Sequence, residues 1–155
     1  MSFRRATNAD ASAVLALVEE CLAEYGFLPD LKTSESDLLD IEGSYDGSGG
    51  LFLVEEENGI VATGGLVLLD GEIGKIRKMY VRQDARGRGL GRAILQRLLA
   101  EARRRKVRRV VLETTDAMTV AQRMYEAHGF RQVEGVPTSP RCHRVYRLEL
   151  GQSID

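Results

Sequence analysis

The most informative part of the sequence is residues 81–92, Val81-Arg82-Gln83-Asp84-Ala85-Arg86-Gly87-Arg88-Gly89-Leu90-Gly91-Arg92. Three glycines alternate with larger residues where a predicted strand gives way to a predicted helix. The start of a helix leaves backbone N–H groups without partners, and with the positive end of the helix dipole they form an anion site. Glycine lets the backbone approach the anion closely and adopt positive φ. Arg86, Arg88 and Arg92 add charge of the sign that phosphate attracts, so the stretch predicts a phosphate-binding loop.

Two other phosphate-binding motifs and a purely structural turn are the alternatives. A P-loop ends in Gly-Lys-Ser or Gly-Lys-Thr, whereas this loop ends in Gly91-Arg92-Ala93. A dinucleotide fingerprint needs Gly-x-Gly-x-x-Gly, and here every second residue is glycine, although Glu113 lies where a ribose-binding acid would be. The strands before the loop argue against that fold, because it opens with a β-α-β unit. A glycine loop that serves only as a structural turn remains a further alternative.

Hydrophobic periodicity divides the rest of the chain into helices and strands. We predict helices between the start signal at 7–8 and the stop signal at 26, at 89–105 and at 119–128, with a short one at 36–42. Strands are predicted at 3–6, 51–55, 60–69, 73–82, 110–112, 130–133 and 143–150. Gly64-Gly65 predicts a bulge or a close packing point. The fold class is α+β, with one mixed, mostly antiparallel twisted sheet and helices on both of its faces.

Composition excludes several classes of protein. The 155 residues are enough for one compact domain, and a net charge of −1 does not suit a protein that coats nucleic acid. The basic cluster at 103–109 is typical of a solvated helix C-terminus. Without an apolar span or a signal peptide, we expect a cytoplasmic protein with neither membrane nor nucleic acid as partner. Two cysteines make no disulfide framework, and Cys21 is expected to be buried.

Two motifs resemble those of a known family. The pattern Arg86-x-x-Gly89-x-Gly91, after the strand Lys78-Met79-Tyr80-Val81, resembles the acetyl-CoA signature of the GNAT superfamily of N-acetyltransferases. Residues 121–130, Ala121-Gln122-Arg123-Met124-Tyr125-Glu126-Ala127-His128-Gly129-Phe130, resemble that family's late helix and the turn into its next strand. The resemblance is specific over 78–130 and looser over the rest of 3–150. It implies a single GNAT-like acetyltransferase domain over residues 1–155.

The resemblance implies a role for each matched position. The backbone N–H groups from Gly87 to Arg92 would hold the pyrophosphate of CoA. The backbone of Met79–Val81 would pair with the pantetheine arm, and an N–H of that strand could face the developing oxyanion. Tyr125 would be the acid that protonates the departing CoA thiolate. The alternative for Tyr125 is a core tyrosine on an amphipathic helix.

A second residue would be needed to remove the proton from the acceptor amine. An amine with a pKa near 10 is mostly protonated at pH 7 and must lose a proton before it attacks. We predict Glu113, at the end of a central strand, as a base acting through water, with Glu72 as the second candidate. Glu113 capping a turn, or an amine that arrives deprotonated, are the alternatives. The chain departs from the family at Met118, where Asn is common, and at Lys75, where Glu is common.

Together these observations predict an enzyme. It would move the acetyl group of acetyl-CoA, its acyl-donor substrate, to a primary amine of a small or amino-acid-like acceptor by direct attack in a ternary complex, without a metal. Segment 27–46 has six acids against Lys32 alone and predicts a cationic acceptor, with a solvated loop as the alternative. Acetylation of protein N-termini or lysines stays open, as do a homodimer and a non-catalytic acyl-CoA-binding regulatory module. Tyr125 favours the enzyme, because a sensor needs no acid at the thiolate.

Overall fold

The structure is a computed structural model that describes residues 2–151, so Met1 and residues 152–155 of the predicted domain lie outside it. The helices within this range are α1 (Ala11–Ala23), α2 (Ile41–Ser44), α3 (Leu90–Arg104) and α4 (Thr119–Ala127). Single 3₁₀ turns cover Asn8–Asp10, Ser36–Leu39, Asp46–Ser48 and Gln83–Ala85. The strands are β1 (Arg4–Arg5), β2 (Leu51–Glu56), β3 (Ile60–Leu68), β4 (Ile73–Val81), β5 (Arg109–Thr114), β6 (Arg131–Val133) and β7 (Arg144–Glu149).

The strands form one seven-stranded sheet in the order β1-β2-β3-β4-β5-β7-β6. The pair β4–β5 is parallel, and each of the other neighbouring pairs is antiparallel. Alternate residues of β2 face opposite sides: Leu51 and Leu53 pack with α3, and Phe52 and Val54 pack with α1. The predicted fold class, a mixed and mostly antiparallel sheet with helices on both faces, is therefore confirmed.

A β-bulge distorts β4 where it passes the paired glycines. The register shifts between Thr63 and Gly65, so that Gly64 lies opposite two residues of β4, Lys78 and Met79. Lys78 has a φ of 58°, in the left-handed region that residues other than glycine rarely adopt. The predicted irregularity at Gly64-Gly65 is confirmed, and its consequence is a bend in the central strand.

Beyond their first residues, β4 and β5 separate. Ladder pairs connect Ile73–Lys75 to Arg109–Val111 and stop there, although β4 continues to Val81 and β5 to Thr114. The remaining parts of both strands face a gap inside the sheet. Backbone groups along this gap are left for a ligand to pair with, because backbone polar groups need hydrogen-bond partners.

Two predicted helices differ in extent. The start signal before α1 is confirmed, because Thr7 and Asp10 form a capping box. The helix ends at Ala23, two residues short of Tyr25, which is partly exposed. The single helix predicted at 36–42 is wrong: the backbone of Asp40 turns away (φ −151°, ψ 82°), and its carboxylate caps α2 instead. No helix within residues 2–151 has the length and apolar character needed to span a bilayer.

Gly65 provides a test of how tightly the sheet packs on its α1 side. A Cβ atom there would lie 2.5 Å from Cε1 of Tyr45 and 2.9 Å from Cδ2 of Phe52. Because rigid aromatic rings cannot yield at low cost, Gly65→Ala should lower the free energy of unfolding in urea by about 1–3 kcal/mol. Gly71→Ala is the control, since no atom lies within 4 Å of its Cβ. Equal stability of the two variants would contradict this packing.

Candidate active site

A cleft of about 370 Å³ opens beside the bulged end of β4. Its walls come from β4, the loop before α3, the first turn of α3 and one face of α4. Nine of the ten residues predicted to bind the cofactor line this cleft; they are Met79, Tyr80, Val81, Arg86, Gly87, Gly89, Leu90, Gly91 and Arg92. The tenth, Arg88, lies outside its walls. The structure thus brings the predicted residues together in one place.

The glycine loop presents a row of backbone donors. Gly87 and Gly89 have φ values of 80° and 81°, which a side chain would strain. The first hydrogen bond of α3 runs from Ala93 N–H to the Gly89 carbonyl. Among residues 2–151, the N–H groups from Gly87 to Arg92 find no acceptor. With the positive end of the α3 dipole behind them, these donors suit the phosphate groups of a nucleotide such as CoA.

The three arginines of the loop have different partners. Arg86 donates two hydrogen bonds of 2.7 Å to the carboxylate of Glu24 and one of 2.9 Å from Nε to the Val81 carbonyl. Arg88 pairs with Glu57, and this contact does not support the expectation that its side chain adds charge at the phosphate. Arg92 is exposed at the cleft and makes no ion pair with any described residue. Arg92 is therefore the arginine that is already free to meet an anion.

Cys21 lies behind the end of β4, as its helix position predicted. Its side chain is 3% exposed, and its thiol donates to the Val81 carbonyl over 3.6 Å. Burial raises the pKa of the Cys21 thiol, although Arg86 beside it acts in the opposite direction. The thiol is therefore neutral at pH 7 and serves as a packing group at the wall of the cleft.

Tyr125 reaches the cleft from α4. It is 6% exposed, and its ring packs edge-on against Phe130 with 5.8 Å between ring centroids. No hydrogen bond joins its hydroxyl to another residue within 2–151, although the residue lines the cleft. Burial raises the pKa of Tyr125, with Tyr80 adding to the effect. Because the hydroxyl keeps its proton at neutral pH, it can act as an acid toward a group in the cleft.

A second, smaller cavity of about 100 Å³ adjoins the first. Both cavities are lined by Tyr80 and Met118, which form the wall between them. The smaller cavity lies in the β4–β5 gap and is lined on one side by the loop that carries Thr138 and Arg141. Two compartments that share one wall can bring a donor and an acceptor together at that wall.

The bulge places two consecutive cations on the same side of β4. Neighbouring residues of a regular strand point to opposite faces. Here Nη2 of Arg77 and Nζ of Lys78 both donate to the carbonyl of Ser34, each over 2.9 Å. The left-handed backbone of Lys78 makes this possible. As a result, both side chains line the smaller cavity.

Two acids of segment 27–46 lie buried behind these cations. Glu35 is fully buried, accepts from the Asp30 amide over 2.8 Å and pairs with Arg141. Asp37 accepts from the Tyr45 hydroxyl, and its second oxygen lies 3.1 Å from Nζ of Lys78. Burial lowers the pKa of Lys78, while the neighbouring Asp37 and Glu35 oppose this shift.

The other acids of this segment are also engaged. Asp30 accepts from the Lys32 amide, Asp40 caps α2, Glu42 accepts from the Asn8 amide, and Asp46 pairs with Arg5. The contacts give no support to the prediction of a cationic acceptor, because these carboxylates bind the protein's own cations and amides.

Glu113 lies at the smaller cavity but is fully engaged. One oxygen accepts from the amides of Thr138 and Ser139, and the other accepts from the Thr138 hydroxyl and from Lys75 Nζ over 3.0 Å. Burial would raise the pKa of Glu113, but these hydrogen bonds outweigh it and hold the pKa below its usual value. The prediction of Glu113 as a general base is therefore not supported. The contacts instead make Glu113 the residue that holds the outer loop in place.

Glu72, the second candidate for the base, is exposed, pairs with Arg108 and lies outside both cavities.

The sequence analysis did not predict four residues of the cavity walls, namely Arg77, Lys78, Arg141 and Met118. For Arg77 and Lys78 a signal was present, since two adjacent cations in a central strand are unusual at positions expected to be covered. For Arg141 no local signal exists, because its partner Glu35 lies 106 residues away.

Comparison with known proteins adds an independent finding. The model of the Acetyltransferase (GNAT) family matches residues 14–130. The uncharacterized N-acetyltransferase YjgM of Escherichia coli strain K12 is 30% identical over 137 residues, which cover 84% of this chain and 82% of that protein.

Solved structures share the fold. A GNAT-family acetyltransferase from Staphylococcus aureus Mu50 superimposes with a TM-score of 0.90 at 24% identity, covering 97% of this chain and 99% of that one. The Salmonella typhimurium protein yncA, solved with its cofactor acetyl-CoA, gives a TM-score of 0.76 at 23% identity, covering 100% of this chain and 96% of that one.

We expect the contacts of Glu113 to make stability depend on pH. Because its pKa in the folded protein lies below the ordinary 4.5, its contribution is present above pH 4.5 and is lost as the pH falls through the folded pKa. Glu113→Gln cannot titrate, so its free energy of unfolding should change less than that of the wild type between about pH 6 and pH 3. Urea denaturation at both pH values measures this, with Glu72→Gln as the exposed control. An unchanged pH dependence in Glu113→Gln would contradict the assigned contacts.

Proposed function

The chain belongs to the GNAT family of acetyltransferases and is an acyl-CoA-dependent N-acetyltransferase, and we propose that it acetylates a primary amine of a small acceptor in the smaller cavity. The observation that carries this proposal is the pair of adjoining cavities that share Tyr80 and Met118. The larger cavity has a row of backbone N–H donors at its end that suits phosphate groups, and the smaller one has room for a small amine. A protein N-terminus or lysine side chain is the alternative acceptor.

The donor would occupy the larger cleft. Its pyrophosphate would meet the free N–H groups from Gly87 to Arg92, and its pantetheine arm would run along Met79–Val81 at the edge of β4. The neighbour yncA, which has the same fold and was solved with acetyl-CoA, is consistent with this donor. Val81 offers fewer free backbone groups to the pantetheine arm than predicted, because its carbonyl already accepts from Arg86. We therefore assign the arm chiefly to Met79 and Tyr80.

The reaction would take place at the shared wall. The amine nitrogen attacks the thioester carbonyl, a C–N bond forms, and the C–S bond of the tetrahedral adduct breaks. An N–H of β4 at the gap would stabilise the oxyanion. Tyr125 would give its proton to the leaving thiolate, and solvent would restore it. Since Glu113 is engaged, the ammonium group of the acceptor would lose one proton to solvent before it attacks. The nitrogen of the tetrahedral adduct would lose a second proton to solvent as the amide forms.

The donor site can be tested by thermal unfolding. CoA at 100 times its Kd should stabilise the native state by about 2.7 kcal/mol and raise the Tm by several degrees. Gly91→Glu should abolish the shift, because it adds bulk and negative charge beside the loop. A Cβ at Gly91 lies 3.5 Å from Val81 in ordinary contact, so the fold should tolerate it. Ala100→Glu adds the same charge at an exposed position of α3 and should keep the shift. A full shift in Gly91→Glu would refute the assigned site.

The role of Tyr125 can be tested by removing one oxygen. Tyr125→Phe should lower kcat by about 10²–10⁴, the usual effect of a general acid, while the Tm shift with CoA persists. Tyr146→Phe is the matched control, because Tyr146 is also buried and its hydroxyl faces Glu126 outside the cleft. If Tyr125→Phe retains wild-type kcat within about twofold, Tyr125 belongs to the core alone.

A further inference from the structure

Four cationic side chains line the smaller cavity, and one carboxylate joins them there. The cations are Lys75, Arg77, Lys78 and Arg141, and the carboxylate is Glu113. Opposite charges within a few ångströms compensate one another, so the field inside the cavity depends on which cations are already paired.

Both lysines are committed to protein partners. Nζ of Lys75 donates to Glu113 and to Thr138, each over 3.0 Å. Nζ of Lys78 donates to the Ser34 carbonyl and lies 3.1 Å from Asp37. These ammonium groups keep little capacity for a ligand, since each has only three N–H donors.

Both arginines keep donors in reserve. Arg77 uses Nη2 for the Ser34 carbonyl, and Arg141 uses Nη2 for Glu35. Nε and Nη1 of Arg77 make no hydrogen bond to another described residue, whereas the Arg141 guanidinium also interacts with the Tyr80 hydroxyl. These atoms are not sealed in the core either, because the single buried, unpartnered side-chain polar atom within residues 2–151 is Oδ1 of Asp37. Arg77 and Arg141 both line the smaller cavity, and their side chains are partly exposed, 30% and 17% respectively.

The acids that pair with these cations, Glu35 and Asp37, lie on the side of the cations that is away from the cavity. The side chain of Glu35 is 0% exposed and that of Asp37 is 5% exposed, and neither lines the cavity. A ligand therefore meets guanidinium groups first, with the carboxylates behind them. Arginine presents parallel N–H donors that match the two oxygens of a carboxylate.

We propose that the acceptor is a small amino acid, whose carboxylate is bound by Arg77 and Arg141 while its amine points to the wall formed by Tyr80 and Met118. This inference rests on the proposed function and names the acceptor of the same site. It reverses the expectation of a cationic acceptor. Cations around the amine also favour its neutral form, which helps explain how a site without a free base can use an amine as nucleophile.

The test uses acceptors that differ in one group. The twenty common L-amino acids, β-alanine and γ-aminobutyrate are assayed with acetyl-CoA by thiol release. For the best of them, the carboxamide and the amine lacking the carboxyl group are then compared. The amino acid should exceed both in kcat/KM by at least about tenfold, because they leave the guanidinium groups unpaired.

Variants then assign the carboxylate to its partners. Arg77→Gln should raise the KM for the best amino acid by at least about tenfold and leave the CoA-induced Tm shift unchanged. Arg77 is the safer variant, since Lys78 still compensates Asp37, whereas Arg141→Gln leaves Glu35 buried without its guanidinium partner. Arg147→Gln removes the same charge on β7 outside both cavities and should leave KM unchanged.

The outcomes separate the two proposals. Without a CoA-induced Tm shift and without acetyl transfer to any amine, the proposed function fails. If transfer occurs but the carboxamide or the amine lacking the carboxyl group equals or exceeds the best amino acid, the carboxylate site is refuted and the function stands. An unchanged KM in Arg77→Gln also refutes it. Amino-acid preference together with a raised KM in Arg77→Gln supports the assignment.

Discussion

The bulge at Lys78 is the constraint on which the site depends. One residue of β3 faces two residues of β4, which bends β4, and the ladder between β4 and β5 covers only their first three positions. The resulting gap contains the smaller cavity and leaves backbone groups of Met79–Val81 at the edge of the larger one. A left-handed backbone at a residue other than glycine costs of order 1–3 kcal/mol, and it persists where the surroundings fix it. Here the fixing contacts are those of the Lys78 ammonium group with Ser34 and Asp37.

Electrostatics connects the bulge to segment 27–46. Glu35 and Asp37 are held in the interior by Lys78, Arg77 and Arg141. Removing one partner of a buried pair leaves an uncompensated charge and is strongly destabilising, whereas such a pair adds little net stability over an apolar one. The network therefore serves to position parts of the chain rather than to add net stability. It anchors the segment after α1 and the loop before β7 to the same strand, and it turns guanidinium groups toward the cavity.

Local patterns predicted the scaffold well. The glycine loop, the helix stripe of α3 and the turn after α4 depend on neighbours in sequence, and the structure has each of them in place. The errors concern residues whose environment is set by distant partners. The acids of segment 27–46 predict a cationic acceptor because composition reveals charge but not pairing, and Glu35 finds Arg141 only when the chain has folded. Glu113 is engaged by four groups, which come from β4 and from a loop whose position the sequence does not indicate. The sequence alone therefore leaves Glu113 as a candidate base.

Residue-resolved amide hydrogen exchange, with and without CoA, tests whether the cofactor binds to the loop before α3 and along the unpaired edge of β4. CoA should slow exchange at the amides from Gly87 to Arg92, which have no acceptor among the described residues, and at Met79–Val81. Exchange at the exposed turn 70–72 should not change. Slower exchange confined to other regions, with both of these segments unaffected, would contradict the account.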